Sequence, residues 1–199
     1  MVNGQGVQRY YAEQAERLAG RYEGLAFDEV HAGFVALLPD GPARVADIGA
    51  GTGRDAAALA DRGHDVVAVE PVAAMRESAG RHRDPRITWI ADALPALGRV
   101  GGVFAFVLVS AVWMHLAPDE RSPGMRRLAA LLAPGGVLAL SLRHGPPPDG
   151  RRMYDVPAEE TVAQAGACGL IPVLRARRET DLLGRGGVRW SELAFRAPA

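Results

Sequence analysis

Short apolar runs rich in β-branched residues alternate along the chain with longer Ala- and Leu-rich stretches. That alternation is the pattern of a parallel sheet covered by helices on both faces. The runs predict strands at Ala43–Ile48, Asp65–Val69, Ile87–Ala91, Val103–Ser110 and Val137–Leu142. The stretches between them predict helices over Arg54–Arg62, Val72–Arg81 and Ser122–Leu132. The third helix is expected to open with Ser122 as its cap and Pro123 at the first helical position, and to stop at a Pro134-Gly135-Gly136 turn. Ahead of the first strand, Gln8–Leu38 reads as two helical stretches split near Gly24. They lie either as a lid across the strands' carboxyl ends or beside the sheet. After the fifth strand come a Pro/Gly/Arg loop at Arg143–Arg152, a helix at Ala158–Ala167, and two more apolar runs, Ile171–Ala176 and Trp190–Phe195. Their join is too short for a crossover helix, so they are expected to pair antiparallel as a hairpin.

Composition narrows the function classes. Among 199 residues, 23 basic and 23 acidic side chains cancel, and every basic residue is Arg. A nucleic-acid binder or a polybasic membrane-surface protein would carry a strong net positive charge. Cys168 is the only cysteine, which removes intrachain disulfides and four-cysteine metal sites. His31, His64 and His82 are scattered without ligand spacing, so no metal is expected. Met1–Arg9 lacks the basic-then-apolar order of a leader. The longest apolar run, Val103–Trp113, is broken by Ser110 and falls short of the roughly 18 residues of a membrane helix. The expectation is a cytoplasmic protein with no membrane or nucleic-acid partner.

The candidate chemistry starts at Val45-Ala-Asp-Ile-Gly-Ala-Gly-Thr-Gly53, which ends a strand and opens a helix. Glycines at 49, 51 and 53 allow a tight turn and close approach of a ligand. Dinucleotide-binding loops space their glycines by two and then three, whereas here Arg54 occupies the third position. Asp47 just ahead of the loop repels a pyrophosphate and suits a ligand with a cationic end, unless it only caps the turn. Glu70, directly after Val66–Val69, is placed to accept from both hydroxyls of a ribose, unless it is only a solvated strand end. Asp92, at the end of the next strand, either accepts from an adenine amino group while Ala93 offers its N–H to the ring, or caps a helix.

Together these residues resemble the class I S-adenosylmethionine-dependent methyltransferases. The resemblance rests on Asp-Ile-Gly-Ala-Gly-Thr-Gly at 47–53, the strand-end Glu70, Asp92-Ala93, and Leu132-Ala-Pro-Gly-Gly136. It implies an α/β, Rossmann-like, mostly parallel seven-stranded sheet with a C-terminal antiparallel hairpin and helices on both faces. The whole of 1–199 would be a single methyltransferase domain, with a helical lid or cap at 1–40, a cofactor-binding core at 43–145, and a substrate-side loop, helix and hairpin at 146–199. By that resemblance Asp47, Gly49, Ala50 and Gly51 line the methionyl end of S-adenosylmethionine, Glu70 takes the ribose, and Asp92 and Ala93 flank the adenine. Met75 neighbours the ring, Pro71 and Ser110 belong to the same cofactor set, and Tyr11 and Tyr22 close over it, with Tyr10 a similar candidate.

Methyl transfer from a sulfonium needs mainly alignment of the nucleophile with the methyl carbon. The surface after the fourth strand, Ser110-Ala-Val-Trp-Met-His-Leu116, supplies His115, either as a general base or as packing. Trp113 and Met114 read as core or cofactor-covering residues. An Asn/Asp-Pro-Pro-aromatic tetrapeptide, which the family's DNA-, RNA- and glutamine-methylating members carry here, is replaced by Ser110-Ala-Val-Trp113. Arg143 and His144 at the end of the fifth strand are further catalytic candidates. With Arg151 and Arg152 they favour a small, anionic acceptor, unless the loop is merely solvated. The expected activity is transfer of a methyl group to an O or N atom of a small molecule, by a monomer or homodimer. The alternatives are an idle cofactor-binding module or partner subunit and, less favoured, a nicotinamide-dependent oxidoreductase.

Overall fold

The computed structural model describes residues 3–82 and 84–199. Met1 and Val2, the start of the stretch read for a leader, lie outside the described residues, as does Arg83. The β-branched runs form the strands β1 (Arg44–Ile48), β2 (Asp65–Val69), β3 (Ile87–Ile90), β4 (Phe104–Ser110) and β5 (Leu132–His144). The last two runs form β6 (Ile171–Arg178) and β7 (Arg189–Arg196). All seven join one sheet in the order β3-β2-β1-β4-β5-β7-β6, with β7 antiparallel to both of its neighbours and the other pairings parallel. The expected hairpin is therefore present, and the later of its two strands inserts beside β5.

The two-residue alternation of the strands divides the core between two faces. Ala46, Ile48, Val107, Val109, Leu138 and Leu140 pack with Trp113, Met125 and Leu128 on one. Val45, Val66, Ala68, Phe106, Leu108 and Ala139 pack with Phe27, Phe34, Ala56 and Leu59 on the other. Helices α4 (Arg54–Asp61), α6 (Pro118–Ala130) and α7 (Ala158–Ala167) cover these faces.

The N-terminal segment packs in two ways, in different parts of it. The short helices α2 (Phe27–Val30) and α3 (Ala32–Val35) pack beside the sheet through Phe27 and Phe34. Helix α1 (Asn3–Tyr22) packs instead on α5 (Ala73–Ser78), where Ala15 and Tyr11 meet Val72 and Met75. That contact carries α1 to the carboxyl edge of the sheet.

The starts of α6 and β5 differ from expectation by several residues. Helix α6 begins at Pro118 rather than at Ser122, because Pro118 takes the first helical position and Glu120 Oε2 accepts from the Ala117 N–H at 2.8 Å. Ser122 and Pro123 lie within the helix and are exposed. The Pro134-Gly135-Gly136 segment lies within β5, where pairing with β4 jumps from Phe104↔Leu132 to Phe106↔Val137. A Cβ at Gly136 would stand 2.8 Å from the backbone oxygens of both Phe104 and Ala133. Gly136→Ala is expected to destabilise the fold by about 1–3 kcal/mol through forced separation of β4 and β5. Chemical denaturation monitored by circular dichroism tests this, and an unchanged midpoint contradicts it.

Candidate active site

The carboxyl ends of β1, β2, β4 and β5 open onto a cavity of about 270 Å³. Its first wall is the loop after β1, held down by the Gly49 and Ala50 N–H groups donating to the Val69 carbonyl at 2.7 and 3.0 Å. Gly49 has φ +80°, and a Cβ there would meet Val112 Cγ2 at 2.3 Å, so this turn requires glycine. Glu70 follows β2. Its Oε2 accepts from the Gly51 N–H at 3.0 Å and its Oε1 from the Val72 N–H at 2.8 Å. Burial pushes this carboxyl above its ordinary range, against the pull of those two N–H groups and Arg76.

Gly49, Ala50, Gly51, Glu70, Pro71, Met75, Asp92, Ala93, Ser110, Tyr11, Tyr22, His115 and Arg143 all line the cavity, so the structure brings together most of the residues singled out from the sequence. Asp47 does not line it. The alternation along β1 turns its side chain to the face under α4, where it is buried, accepts from the Ala56 N–H and leaves Oδ2 without a partner. Burial and the neighbouring Asp55 raise its pKa well above the usual carboxyl range. The carboxylate that lines the cavity beside the loop is Asp55. Burial opposes its ionisation, but contacts from His31 Nε2 at 2.9 Å and from Arg54 outweigh it and bring its pKa down to about 2.

His144 also stays out of the cavity, contacting Ser191 Oγ at 2.9 Å and Asp155 Oδ1 at 3.2 Å. Adjacent residues on a strand face opposite ways, and Arg143 takes the inward position. Arg152 does not line the cavity either, and its guanidinium lies over the Tyr154 ring. The Ala93 N–H, expected to meet an adenine ring, is engaged by Asp92 Oδ1 at 2.8 Å, while Asp92 Oδ2 accepts from the Arg99 N–H at 2.7 Å. Asp92 thus caps its own turn at the cavity wall.

Above the end of β4, three side chains form a directed chain of hydrogen bonds. Arg151 Nη1 donates to the Tyr11 hydroxyl at 3.0 Å. Tyr11 Oη lies 3.2 Å from His115 Nε2, and His115 Nδ1 lies 2.9 Å from the Arg152 carbonyl. A carbonyl only accepts, so Nδ1 carries the proton and Nε2 accepts from the Tyr11 O–H. Burial, together with the positive Arg151 and Arg143, lowers the His115 pKa to about 4, so the ring is neutral at neutral pH. Burial raises the Tyr11 pKa above the ordinary phenol range.

The opposite wall comes from the connection between β6 and β7, to which the sequence pattern assigned no role, and from the strand ends beside it. Asp181, Leu182, Leu183 and Arg185 of the connection line the cavity with Arg178 at the end of β6 and Trp190 near the start of β7. Asp181 organises them. Its carboxylate accepts from the Leu183 and Arg185 N–H groups, from the Arg185 guanidinium at 2.9 and 2.6 Å, and from Trp190 Nε1 at 3.0 Å. The cluster Arg175–Arg178 followed by Asp181 and Arg185 was the available signal, but only the insertion of β7 beside β5 brings it to this edge.

Residues 45–136 match a family described as methyltransferase domain. An uncharacterized methyltransferase of Mycobacterium bovis is 35% identical over 104 residues, covering 52% of this chain and 41% of that protein. The chain therefore spans less than half the length of the curated relatives it matches. Among solved structures, a 1,6-didemethyltoxoflavin N1-methyltransferase from Burkholderia thailandensis superposes with a TM-score of 0.76 at 23% identity, over 98% of this chain and 89% of that one. That structure holds 1,6-didemethyltoxoflavin and S-adenosylhomocysteine. An N-methyltransferase from Bradyrhizobium japonicum superposes at 0.68 and 20% identity, over 86% and 96% of the two chains. At these identities the superpositions establish the shared fold.

The two buried aspartates predict opposite responses. Asp47→Asn removes a carboxyl whose ionisation is penalised in the folded state, so it is expected to raise the unfolding temperature at pH 7. The gain should vanish below about pH 4, where the carboxyl is protonated in both states. Asp55 is stabilising when charged, so Asp55→Asn lowers the unfolding temperature at pH 7, and the difference closes as pH falls from about 4 through about 2. Calorimetric scans of both variants across this range check the signs, and a destabilised Asp47→Asn at pH 7 contradicts the account.

Proposed function

We propose that this chain, whose residues 45–136 belong to the class I S-adenosylmethionine-dependent methyltransferases, transfers a methyl group to an O or N atom of a small, anionic acceptor, and that 1–199 works as one methyltransferase domain. The observation that carries this reading is the carboxylate of Glu70, fixed by two backbone N–H groups on the cavity wall. A carboxylate has about four acceptor sites, so it retains capacity for the hydroxyls of a ribose. The donor set around it fits the rest of that cofactor: Met75, Val72 and Leu94 offer apolar cover for a base, Asp92 an acceptor for its amino group, and the loop at 49–51 a glycine-rich approach for the methionyl end. When bound, S-adenosylmethionine supplies an electrophilic methyl group on a sulfonium centre.

The chain's own contribution is alignment and proton removal. Ser110, Ala111 and Val112 form the wall beside His115, and the Ala111 N–H is pinned to Ser141 Oγ at 3.0 Å although Ala111 has φ +55°. A strained residue held this way at the end of β4 gives the acceptor a fixed seat. Tyr11 lines the cavity with its hydroxyl proton directed at His115 Nε2. A proton released by an acceptor O–H or N–H passes to the Tyr11 oxygen as the Tyr11 proton moves to Nε2, with the Arg152 carbonyl holding the ring in place. Arg143 is assigned to hold the acceptor. His144, away from the cavity, is given no part.

Titration calorimetry with S-adenosylhomocysteine tests the cofactor reading. Glu70→Ala is expected to weaken binding by about 10- to 150-fold, the loss of one or two hydrogen bonds to a charged group, and unchanged affinity would show the ribose is elsewhere. His115→Ala is expected to lower kcat while leaving cofactor affinity unchanged, and equal losses in both would reduce His115 to packing. Because the His115 pKa lies at about 4, the wild-type rate should show no acidic limb from this group between about pH 6 and 8.

A further inference from the structure

Three cations on the cavity wall form no ion pair among the described residues. Arg143 and Arg151 are only 3% and 7% exposed. Among the described residues, no carboxylate forms an ion pair with either of them or with Arg178. Arg143 spends its terminal nitrogens on the Gly145 and Pro146 carbonyls and the Met153 sulfur. Arg151 spends its own on the Tyr11 hydroxyl and the same sulfur, and Arg178 reaches the Glu29 and Val30 carbonyls at 3.4 Å. In all three the Nε–H is buried and without an acceptor. Two further arginines of the wall are paired, Arg54 with Asp55 and Arg185 with Asp181; Asp181 also accepts from Trp190 Nε1, and the Arg178 and Arg185 guanidiniums each lie 5.9 Å from the Trp190 ring centroid. Burial and the charges of Arg185 and Arg151 loosen even Arg143's hold on its proton.

Uncompensated guanidiniums and orphaned N–H donors are costly inside a protein. Their fork geometry matches carboxylate and phosphate oxygens. We propose that Arg143, Arg151 and Arg178 form an oxyanion subsite that recognises a carboxylate or phosphate group on the methyl acceptor. This rests on the reading of the cavity as a methyl-transfer site and names the acceptor class within it. An oxyanion here also offsets the Arg143 and Arg151 charges that disfavour proton uptake by His115, so the acceptor that fits the subsite is the one the base serves best.

The cofactor's own carboxylate is the competing oxyanion, and titration of the intact protein separates the two. Inorganic phosphate and malonate are titrated into wild-type protein alone and saturated with S-adenosylhomocysteine. At least one probe is expected to bind in both conditions with affinities within about threefold, and the tighter of the two assigns phosphate or carboxylate. Arg143→Gln, Arg151→Gln and Arg178→Gln are each expected to weaken that probe by about tenfold, the value of one charge-assisted hydrogen bond, with S-adenosylhomocysteine affinity changed less than threefold. Loss of probe binding on saturation overturns the proposal, because the arginines then hold the cofactor, and so does a loaded protein that binds neither probe. The wild-type competition decides this even where a variant fails to fold. If the probe binds and S-adenosylhomocysteine does not, the methyl-transfer reading alone is overturned.

Discussion

The carboxylate of Glu70 ties together two backbone segments at the carboxyl edge of the sheet. By accepting from Gly51 on one side and Val72 on the other, it joins the loop after β1 to the turn that starts α5. The position of α5 then fixes α1 through Val72, Met75 and Ala15, and α1 carries Tyr11 to His115 and Arg151. A carboxylate buried this deeply is expensive without donors, and two N–H groups directed at it offset that cost. The group read as a cofactor ligand is therefore also the keystone of the site's own structure.

Charge is sorted within the cavity even though the whole chain is neutral. Glu70 and Asp92 follow β2 and β3 around the glycine loop, with Asp55 and its partner Arg54 at the start of α4 beside them, whereas Arg143, Arg151, Arg178 and Arg185 stand across from them on the C-terminal side. Asp181 stands among these arginines and is consumed by Arg185 and Trp190. Such a division suits a ligand pair in which one member is cationic and hydroxyl-bearing and the other anionic. Net charge is a sum over the surface and reveals nothing of this separation.

Much of this was readable because periodicity reports local structure directly. The alternation of apolar runs with helical stretches located every strand, and acids at strand ends could be placed at one edge because parallel strands all finish there. The same alternation, applied residue by residue, would also have turned Asp47 and His144 away from the cavity, since Ile48 and Arg143 take the inward positions beside them. The start of α6 was misplaced because a serine before a proline is a weaker start signal than Pro118 with Glu120 two residues later, where a side chain returns to the free N–H of Ala117. What the pattern did not contain is the role of Asp181, Arg185 and Trp190. Their place depends on β7 inserting between β5 and β6, a pairing choice made across more than 40 residues of chain.

The direction of the hydrogen bonds at Tyr11 links the two halves of the cavity. Arg151 can only donate and the Arg152 carbonyl can only accept, so with His115 kept neutral by burial and by the arginines its Nδ1 carries the proton and the Tyr11 proton points at Nε2. A neutral imidazole beside Arg143 and Arg151 is a reluctant base, held at a pKa of about 4 by burial and by those charges. The arginines therefore oppose the base for as long as they are uncompensated, and an anion placed against them relieves both conditions at once. On the proposed reading, binding and proton removal are coupled through the same guanidiniums, which gives a physical reason for a base to be buried among cations: an acceptor without the negative group would leave the field against His115 in place.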